Sequence, residues 1–291
     1  MPTRRHFLLG AGASLLPAAQ PVIDIHQHTN YAGRTEDELL AHQRAMGITT
    51  TVLLPAGSRY GLDVKAGGND SVREFALRHP RGYVYFANEL PDLPETPAVI
   101  GKYLKLGAIG IGEQKFPVDC DSPSIHALAQ LAGEFNVPVL LHFQRGTYNK
   151  GFERFYKILE RYPSVNFIGH AQTFWGHIDA ALDPAVLYPK GKVTPGGLTD
   201  RYLSDYPNMF GDLSAGSALN ALTRDEDHAR AFLARHRDKL LYGSDCDDKL
   251  GKGPKCSGAQ MLAAVCRLAP DASAVRRILH DNAVRLLRLI H

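Results

Sequence analysis

VIDIHQH, residues 22–28, decides how this chain folds. Its aliphatic opening suits a strand, and the two-residue period puts His26 and His28 on one face while Gln27 points away. Four further short apolar runs end on side chains that bind metals: AIGIGE closes on Glu113, VPVLLH on His142, VNFIGH on His170 and KLLYGSD on Asp245. Helical patterns lie between these runs, and strands joined through helices run parallel, with their C-terminal ends on one face. Five dispersed segments therefore converge on one polar cluster. A lone histidine ending a strand is more often a hydrogen-bonding core or loop residue. Packing gives no reason for five such endings together.

The alternation continues along the chain. Strands are expected at residues 22–26, 48–54, 82–88, 108–113, 138–142, 165–169, 208–214 and 239–245, and helices at 35–46, 71–79, 97–105, 124–135, 151–162 and 227–236, with two more finishing the chain. Thr35 and Glu38 carry the spacing of a capping box. Eight strands alternating with helices favour an α/β fold of the (β/α)8 TIM-barrel type over a doubly wound open sheet, and 291 residues fit it as a single domain with C-terminal helices. The longest break is YPKGKVTPGGLTDRYLSDY, residues 188–206, for which a lid is one role.

A hydrophobic share of 44% and a charged share of 22% are those of a soluble globular chain with a large core. The net charge of +3 is spread without a Lys/Arg block, which argues against nucleic acid and anionic membranes as partners. The one basic cluster opens TRRHFLLGAGASLLPAAQ, where Arg4 and Arg5 precede a modest apolar run and small residues; this resembles a twin-arginine export signal. Residues 1–19 are therefore expected to be a signal peptide and 20–291 the barrel. The apolar run is too short for a stable membrane anchor. The resemblance implies the twin-arginine export machinery as a partner and a periplasmic or secreted mature protein. An oxidising compartment permits disulfides, and Cys246 with Cys256, which bracket a Gly/Lys-rich loop, are the expected local pair. No C-x-x-C unit is present to suggest a zinc knuckle.

DIHQH, LLHFQ, FIGHAQTFWG, MFGDLSAG, LLYGSD and ILHDNAVRLL together resemble the amidohydrolase superfamily of metal-dependent barrels, and most of all its amidohydrolase-2, ACMSD-related branch, from about residue 22 to 289. The resemblance implies that His26, His28 and Asp245 hold one divalent ion. His142 and His170 hold a second when a strand-4 acid, here Glu113, or a carboxylated lysine bridges the two. Lys115 shares a strand face with Glu113 and is either that bridge or the partner of a carboxylate. In single-metal members His142 joins the first ion and His170 serves as an acid or electrostatic stabiliser. Zinc is the default for such ligands, one ion or two, and manganese, iron and nickel accept the same set.

The implied activity is that of a metal-dependent hydrolase: a metal-activated water attacks an ester, lactone, amide or phosphoester bond of a small-molecule substrate, with Asp245 moving the proton and His170 assisting. The same branch contains metal-dependent decarboxylases of aromatic or unsaturated carboxylic acids. A third reading, a non-catalytic periplasmic binding protein, calls for a broken ligand set, and no ligand is missing here. Arg145 and Tyr148 after strand 5 and Trp175 after strand 6 are candidate substrate contacts, followed by Ser58, Arg59, His177 and Asp212. His42, His79, His126, His228, His236 and His280 fall in helical patterns and are expected at the surface or in caps. The oligomeric state stays open, a homo-oligomer included.

Overall fold

Eight short strands, each continuous with one of the apolar runs, form a parallel barrel in the computed structural model, which describes residues 20–58 and 65–289. The expected signal peptide, residues 1–19, and Arg59 lie outside the described residues. The strands are β1 (Ile23–Gln27), β2 (Thr50–Leu53), β3 (Tyr83–Tyr85), β4 (Ile111–Gln114), β5 (Val139–His142), β6 (Phe167–His170), β7 (Met209–Leu213) and β8 (Leu240–Tyr242). They pair in chain order as two parallel arcs, β1 to β3 and β4 to β8. A bridge between Ala87 and Ile111 joins the arcs on one side. On the other, the Asp245 N–H donates to the His26 carbonyl at 2.8 Å. This is the expected (β/α)8 barrel.

Its interior shows why the strands end as they do. Ile23, Ile25, Val52, Phe86, Leu140, Ile168, Phe210 and Leu241 form one buried cluster with Leu286 and Leu287 of the last helix. Val139, Leu141, Phe167, Met209 and Leu240, offset by one residue, belong instead to the cluster beneath the helices. Two positions beyond Leu140, Ile168 and Phe210, on the same inward face, stand His142, His170 and Asp212. β1 needs one adjustment, because strict alternation would turn His26 away from Ile25. Its register with β2 shifts between Asp24 and Gln27, so Ile25 and His26 both face inward.

The outer layer contains α1 (Glu36–Ala45), α2 (Asn69–Arg78), α3 (Thr96–Lys105), α4 (Pro123–Phe135), α5 (Tyr156–Arg161), α6 (Ala171–Gly176), α7 (Leu198–Asp205), α8 (Ala215–Thr223), α9 (Glu226–His236), α10 (Ser257–Leu268), α11 (Ala272–Arg276) and α12 (Asn282–Leu287). The capping box forms as expected, with the Glu38 N–H donating to Thr35 Oγ1 and the Thr35 N–H to Glu38 Oε2. The helix expected at 151–162 is instead a 3-10 turn, Phe152–Arg154, followed by the short α5. The 188–206 stretch is not all loop: its second half is α7, anchored by buried Tyr202 and Leu203. Its first half is tethered where Gln172 Nε2 donates to the Tyr188 hydroxyl at 3.2 Å and Asn220 Nδ2 to the Pro189 carbonyl at 3.0 Å. His42, His228, His236 and His280 prove buried rather than superficial. Cys246 and Cys256, expected as a disulfide, are separate thiols with sulfurs 3.6 Å apart.

The β8–β1 seam relies on a carboxylate. Asp24, fully buried, accepts the Ser244 N–H at 2.9 Å, the Ser244 hydroxyl at 2.5 Å, Gln43 Nε2 at 2.9 Å and the His26 N–H at 3.0 Å. Burial pushes its pKa up, against the pull of those donors. Asp24→Ala strands these donors in the core, where each unsatisfied group costs about 1–3 kcal/mol. The variant is expected to lose about 3 kcal/mol or more of unfolding free energy in urea titrations.

Candidate metal centre

Four atoms from three strands meet at the C-terminal mouth of the barrel. His26 Nε2 and His28 Nε2 are 3.3 Å apart. Glu113 Oε2 lies 3.7 Å from the first and 3.6 Å from the second, and Asp245 Oδ1 repeats both distances. Neither Glu113 Oε2 nor Asp245 Oδ1 has a hydrogen-bond partner. Buried carboxylate oxygens left without donors are costly. Nitrogen and oxygen bonds of about 2.0–2.2 Å to a zinc-sized ion space neighbouring donors by about 3.3–3.6 Å, and the side chains form two overlapping donor groups, His26, His28 and Asp245, and His26, Glu113 and His170. The spacing and the orphaned oxygens both fit a divalent cation among these four side chains.

The imidazoles are aimed by what holds their other nitrogens. His26 Nδ1 is 2.7 Å from Asp212 Oδ2, and His28 Nδ1 is 2.8 Å from the Leu54 carbonyl. His170 Nδ1 is 2.9 Å from Ser214 Oγ and 3.2 Å from Asp212 Oδ2. With Nδ1–H donating in each case, three Nε2 atoms face the cluster. His170 Nε2 stands 3.5 Å from Asp245 Oδ2 and 3.6 Å from Glu113 Oε1. His142 differs. Its Nδ1 is 2.5 Å from Glu113 Oε1 and its Nε2 is 3.2 Å from Gln144 Oε1, so it reaches the cluster through Glu113.

Asp212 is the principal residue whose role the sequence reading misplaced. It is a buried carboxylate beneath two imidazoles, bonded also by the Ser214 hydroxyl at 2.7 Å, and touches them rather than a substrate. The available signal was its place two residues beyond inward-facing Phe210, the same relation that His142 and His170 bear to their strands. Outer carboxylates of this kind typically contribute 10–100-fold to metal affinity. Asp212→Asn is expected to weaken divalent-metal binding by about that factor, measured by calorimetric titration.

Glu113 owes its position to the glycine before it. Gly112 has φ +133°, and a Cβ there would stand 2.6 Å from the Leu140 carbonyl oxygen, so only glycine permits the turn. The β4–β5 register shifts at this point. Asp245 also occupies the left-handed region, with φ 38°, its N–H fixed on the His26 carbonyl. Its side chain is 12% exposed against 1% or less for Glu113, His26 and His28, so it is the member that opens toward the mouth.

Electrostatics bind the cluster together. Burial would lower the pKa of His26, but the charges of Asp245 and Asp212 carry it well above the usual histidine range. Burial likewise opposes protonation of His170, and hydrogen bonds to Asp212 and Asp245 override it. Burial would raise Glu113 and Asp245, yet the neighbouring histidines hold both carboxyls well below their usual values. His142 is lowered, chiefly by burial. A divalent ion must displace the protons held by His26 and His170. Metal uptake near neutral pH is therefore expected to release up to about two protons, with affinity falling as pH falls, by up to about tenfold per proton per pH unit. Calorimetry in buffers of different ionisation enthalpy counts them.

The remaining candidates separate clearly. Tyr148 lies edge-on to His142 with ring centres 5.5 Å apart, and the Lys115 ammonium sits 5.7 Å from the Tyr148 ring centre. Arg145 is exposed and, with Thr173 and His177, lines a cleft of about 400 Å³ that includes none of the clustered ligands. Trp175, expected as a pocket wall, is buried in the outer core: its indole N–H donates to the Asp212 carbonyl at 2.9 Å and its ring packs on Phe174 and Phe232. Helix α6 turns it away from the mouth. Ser58 is exposed and donates to Glu89 Oε1 at 2.9 Å. Tyr31, which the sequence reading did not single out, lies edge-on to His28 at 5.0 Å. The Asp245 charge, with burial, pushes its phenol pKa up, so it stays a proton donor.

A parallel barrel gathers histidines and carboxylates at its C-terminal strand ends, a donor set suited to a divalent cation. The sequence profile of the Amidohydrolase family matches residues 23–289, and the chain belongs to that family. No curated protein matches it in sequence. Among solved structures, an uncharacterised TIM-barrel protein of Bordetella bronchiseptica aligns with TM-score 0.67 at 16% identity over 92% of this chain and 98% of its own. A probable 2-pyrone-4,6-dicarboxylic acid hydrolase of Acinetobacter baumannii, solved with citric acid bound, gives 0.62 at 16% over 92% and 99%. The 5-carboxyvanillate decarboxylase of Sphingomonas paucimobilis gives 0.58 at 13% over 93% and 100%. At these identities the likeness is one of fold.

Proposed function

We propose that this chain is a metal-dependent hydrolase acting on an ester, lactone, amide or phosphoester bond of a small molecule. The observation that carries the reading is the position of Glu113, whose carboxylate spans two donor groups. Oε2 faces the β1 histidines at 3.6–3.7 Å, while Oε1 is 2.5 Å from His142 Nδ1 and 3.6 Å from His170 Nε2. A carboxylate so placed would serve both donor groups if two cations bound, the His142 hydrogen bond to Oε1 giving way, and zinc is the ion the donor set favours. Bound there, a divalent cation supplies acidity to water near neutral pH and polarises the oxygen under attack.

The chain's own residues do the rest. Asp245 is ionised and its Oδ1 is unpartnered, so it can accept the proton of the attacking water. Its Oδ2, 3.5 Å from His170 Nε2, gives that proton a way toward the leaving group. Asp212 keeps His26 and His170 in register. Tyr31 and Tyr148 flank the mouth, where they orient a substrate and limit water.

Metal analysis with a panel of esters, lactones, amides and phosphoesters tests this reading. Two ions at the barrel centre, counted with the thiols of Cys246 and Cys256 blocked, and hydrolytic turnover support it. One ion with release of carbon dioxide from an aromatic or unsaturated acid would replace it with the decarboxylase chemistry seen on the same fold. We further propose that the mature enzyme is exported without residues 1–19. Fractionation and intact mass check that step: a cytoplasmic protein retaining those residues would refute it.

A further inference from the structure

A second cluster begins at the residue after Asp245. Cys246 and Cys256 bracket the loop between β8 and α10, and both are buried. Their sulfurs are 3.6 Å apart, and Cys256 Sγ is 3.5 Å from Nε2 of buried His42. One ligand atom from each of the three lies within 4.8 Å of the others. His42 and Met46, four positions apart on one face of the end of α1, reach the cluster together. The Met46 sulfur is 3.7 Å from Cys256 Sγ.

These distances match a donor shell. Zinc–sulfur bonds of about 2.3 Å and zinc–nitrogen bonds of about 2.0–2.1 Å in a tetrahedron place sulfurs about 3.8 Å apart and sulfur about 3.5 Å from nitrogen. A disulfide instead brings its sulfurs to about 2.05 Å. Cys256 caps α10, where its sulfur accepts the Ala259 N–H at 3.3 Å. The Arg34 guanidinium donates to the carbonyls of Cys246 at 2.8 Å and Asp248 at 2.9 Å, which places a cation beside the cluster. Thiolate, imidazole and thioether are a soft donor set.

We propose that His42, Cys246 and Cys256, with Met46 alongside, form a closed second site for a thiophilic d10 cation, Zn(II) or Cu(I), which clamps the loop that follows Asp245. On binding, both thiols release their protons to solvent and His42 contributes its Nε2 lone pair, with no change of oxidation state. The barrel centre offers only nitrogen and oxygen donors, so the two sites respond to different probes. The inference is independent of the hydrolase reading.

Cobalt(II) titration of the reduced, metal-stripped full-length protein is the test, because only thiolate ligation produces sulfur-to-cobalt charge-transfer absorption in the near ultraviolet. The expected result is a saturable band whose amplitude corresponds to one thiolate-bound cobalt per chain, absent from Cys246→Ser and Cys256→Ser and weakened tenfold or more in affinity by His42→Gln. Zn(II) or Cu(I) in excess over all the sites bleaches it, and a larger loss of affinity for Cu(I) than for Zn(II) in Met46→Leu identifies copper as the preferred ion. Should the serine variants fail to fold, alkylation of the wild type still decides: bound zinc is expected to slow modification of Cys246 and Cys256 but not of exposed Cys266. Absence of the band with unchanged alkylation would overturn the site. So would a Cys246–Cys256 disulfide that persists with stoichiometric zinc under a glutathione redox buffer.

Discussion

Asp245→Asn is expected to lower kcat by about 10³-fold or more while leaving the fold and most of the bound metal in place, since removing a general base costs roughly 10²–10⁴-fold. The substitution is nearly isosteric, and the backbone tolerates it. Position 245 sits at φ 38°, a region that asparagine enters as readily as aspartate, so the hydrogen bond from its N–H to His26 survives. The amide oxygen can still face His26 and His28. What it cannot do is accept a proton. The variant thus separates two roles that Asp245 combines, metal ligand and proton carrier, and metal analysis beside steady-state kinetics reads them separately. Wild-type turnover by the metal-loaded variant would remove Asp245 from the reaction. Loss of metal together with turnover would reduce it to a ligand.

The two-residue period was enough to place the cluster in advance for a physical reason. A buried parallel strand repeats its inward face, so an apolar residue within the barrel and a polar one at its rim are separated by two positions, as Leu140 is from His142 and Ile168 from His170. The period could not show the register shift in β1, since a bulge depends on the neighbouring strand. It also carried Asp212 to the right end of the right strand without saying what it would touch: its partners, His26 and His170, come from β1 and β6. Trp175 failed for another reason. A helix assigns faces by its rotation about its own axis, and α6, at six residues, has too few apolar positions to fix that rotation. The Cys246 and Cys256 spacing suggested a disulfide because the third member of their cluster, His42, is more than two hundred residues away.

Glu113→Gln is expected to abolish the higher metal stoichiometry and, with it, hydrolysis, by at least about 10²-fold in kcat/KM, or about 2.7 kcal/mol of transition-state stabilisation. The replacement keeps the side chain's volume but puts an amide where two carboxylate oxygens served two sets of imidazoles. If the NH2 turns toward His142, the carbonyl oxygen alone faces His26 and His28. If it turns toward the β1 histidines, it points hydrogens at the place an ion must occupy. Either orientation leaves one donor group without its anion. Protein stability gives a readout that needs no substrate, since a ligand present at a hundred times its dissociation constant stabilises the native state by about 2.7 kcal/mol. Wild-type protein should show that gain in thermal unfolding with added zinc, and the glutamine variant should lose most of it. A variant that keeps one tightly bound ion, its full thermal response and wild-type turnover would show that Glu113 bridges nothing. The donor set around His26, His28 and Asp245 would then hold a single ion, and the two-ion reading of the centre would fall.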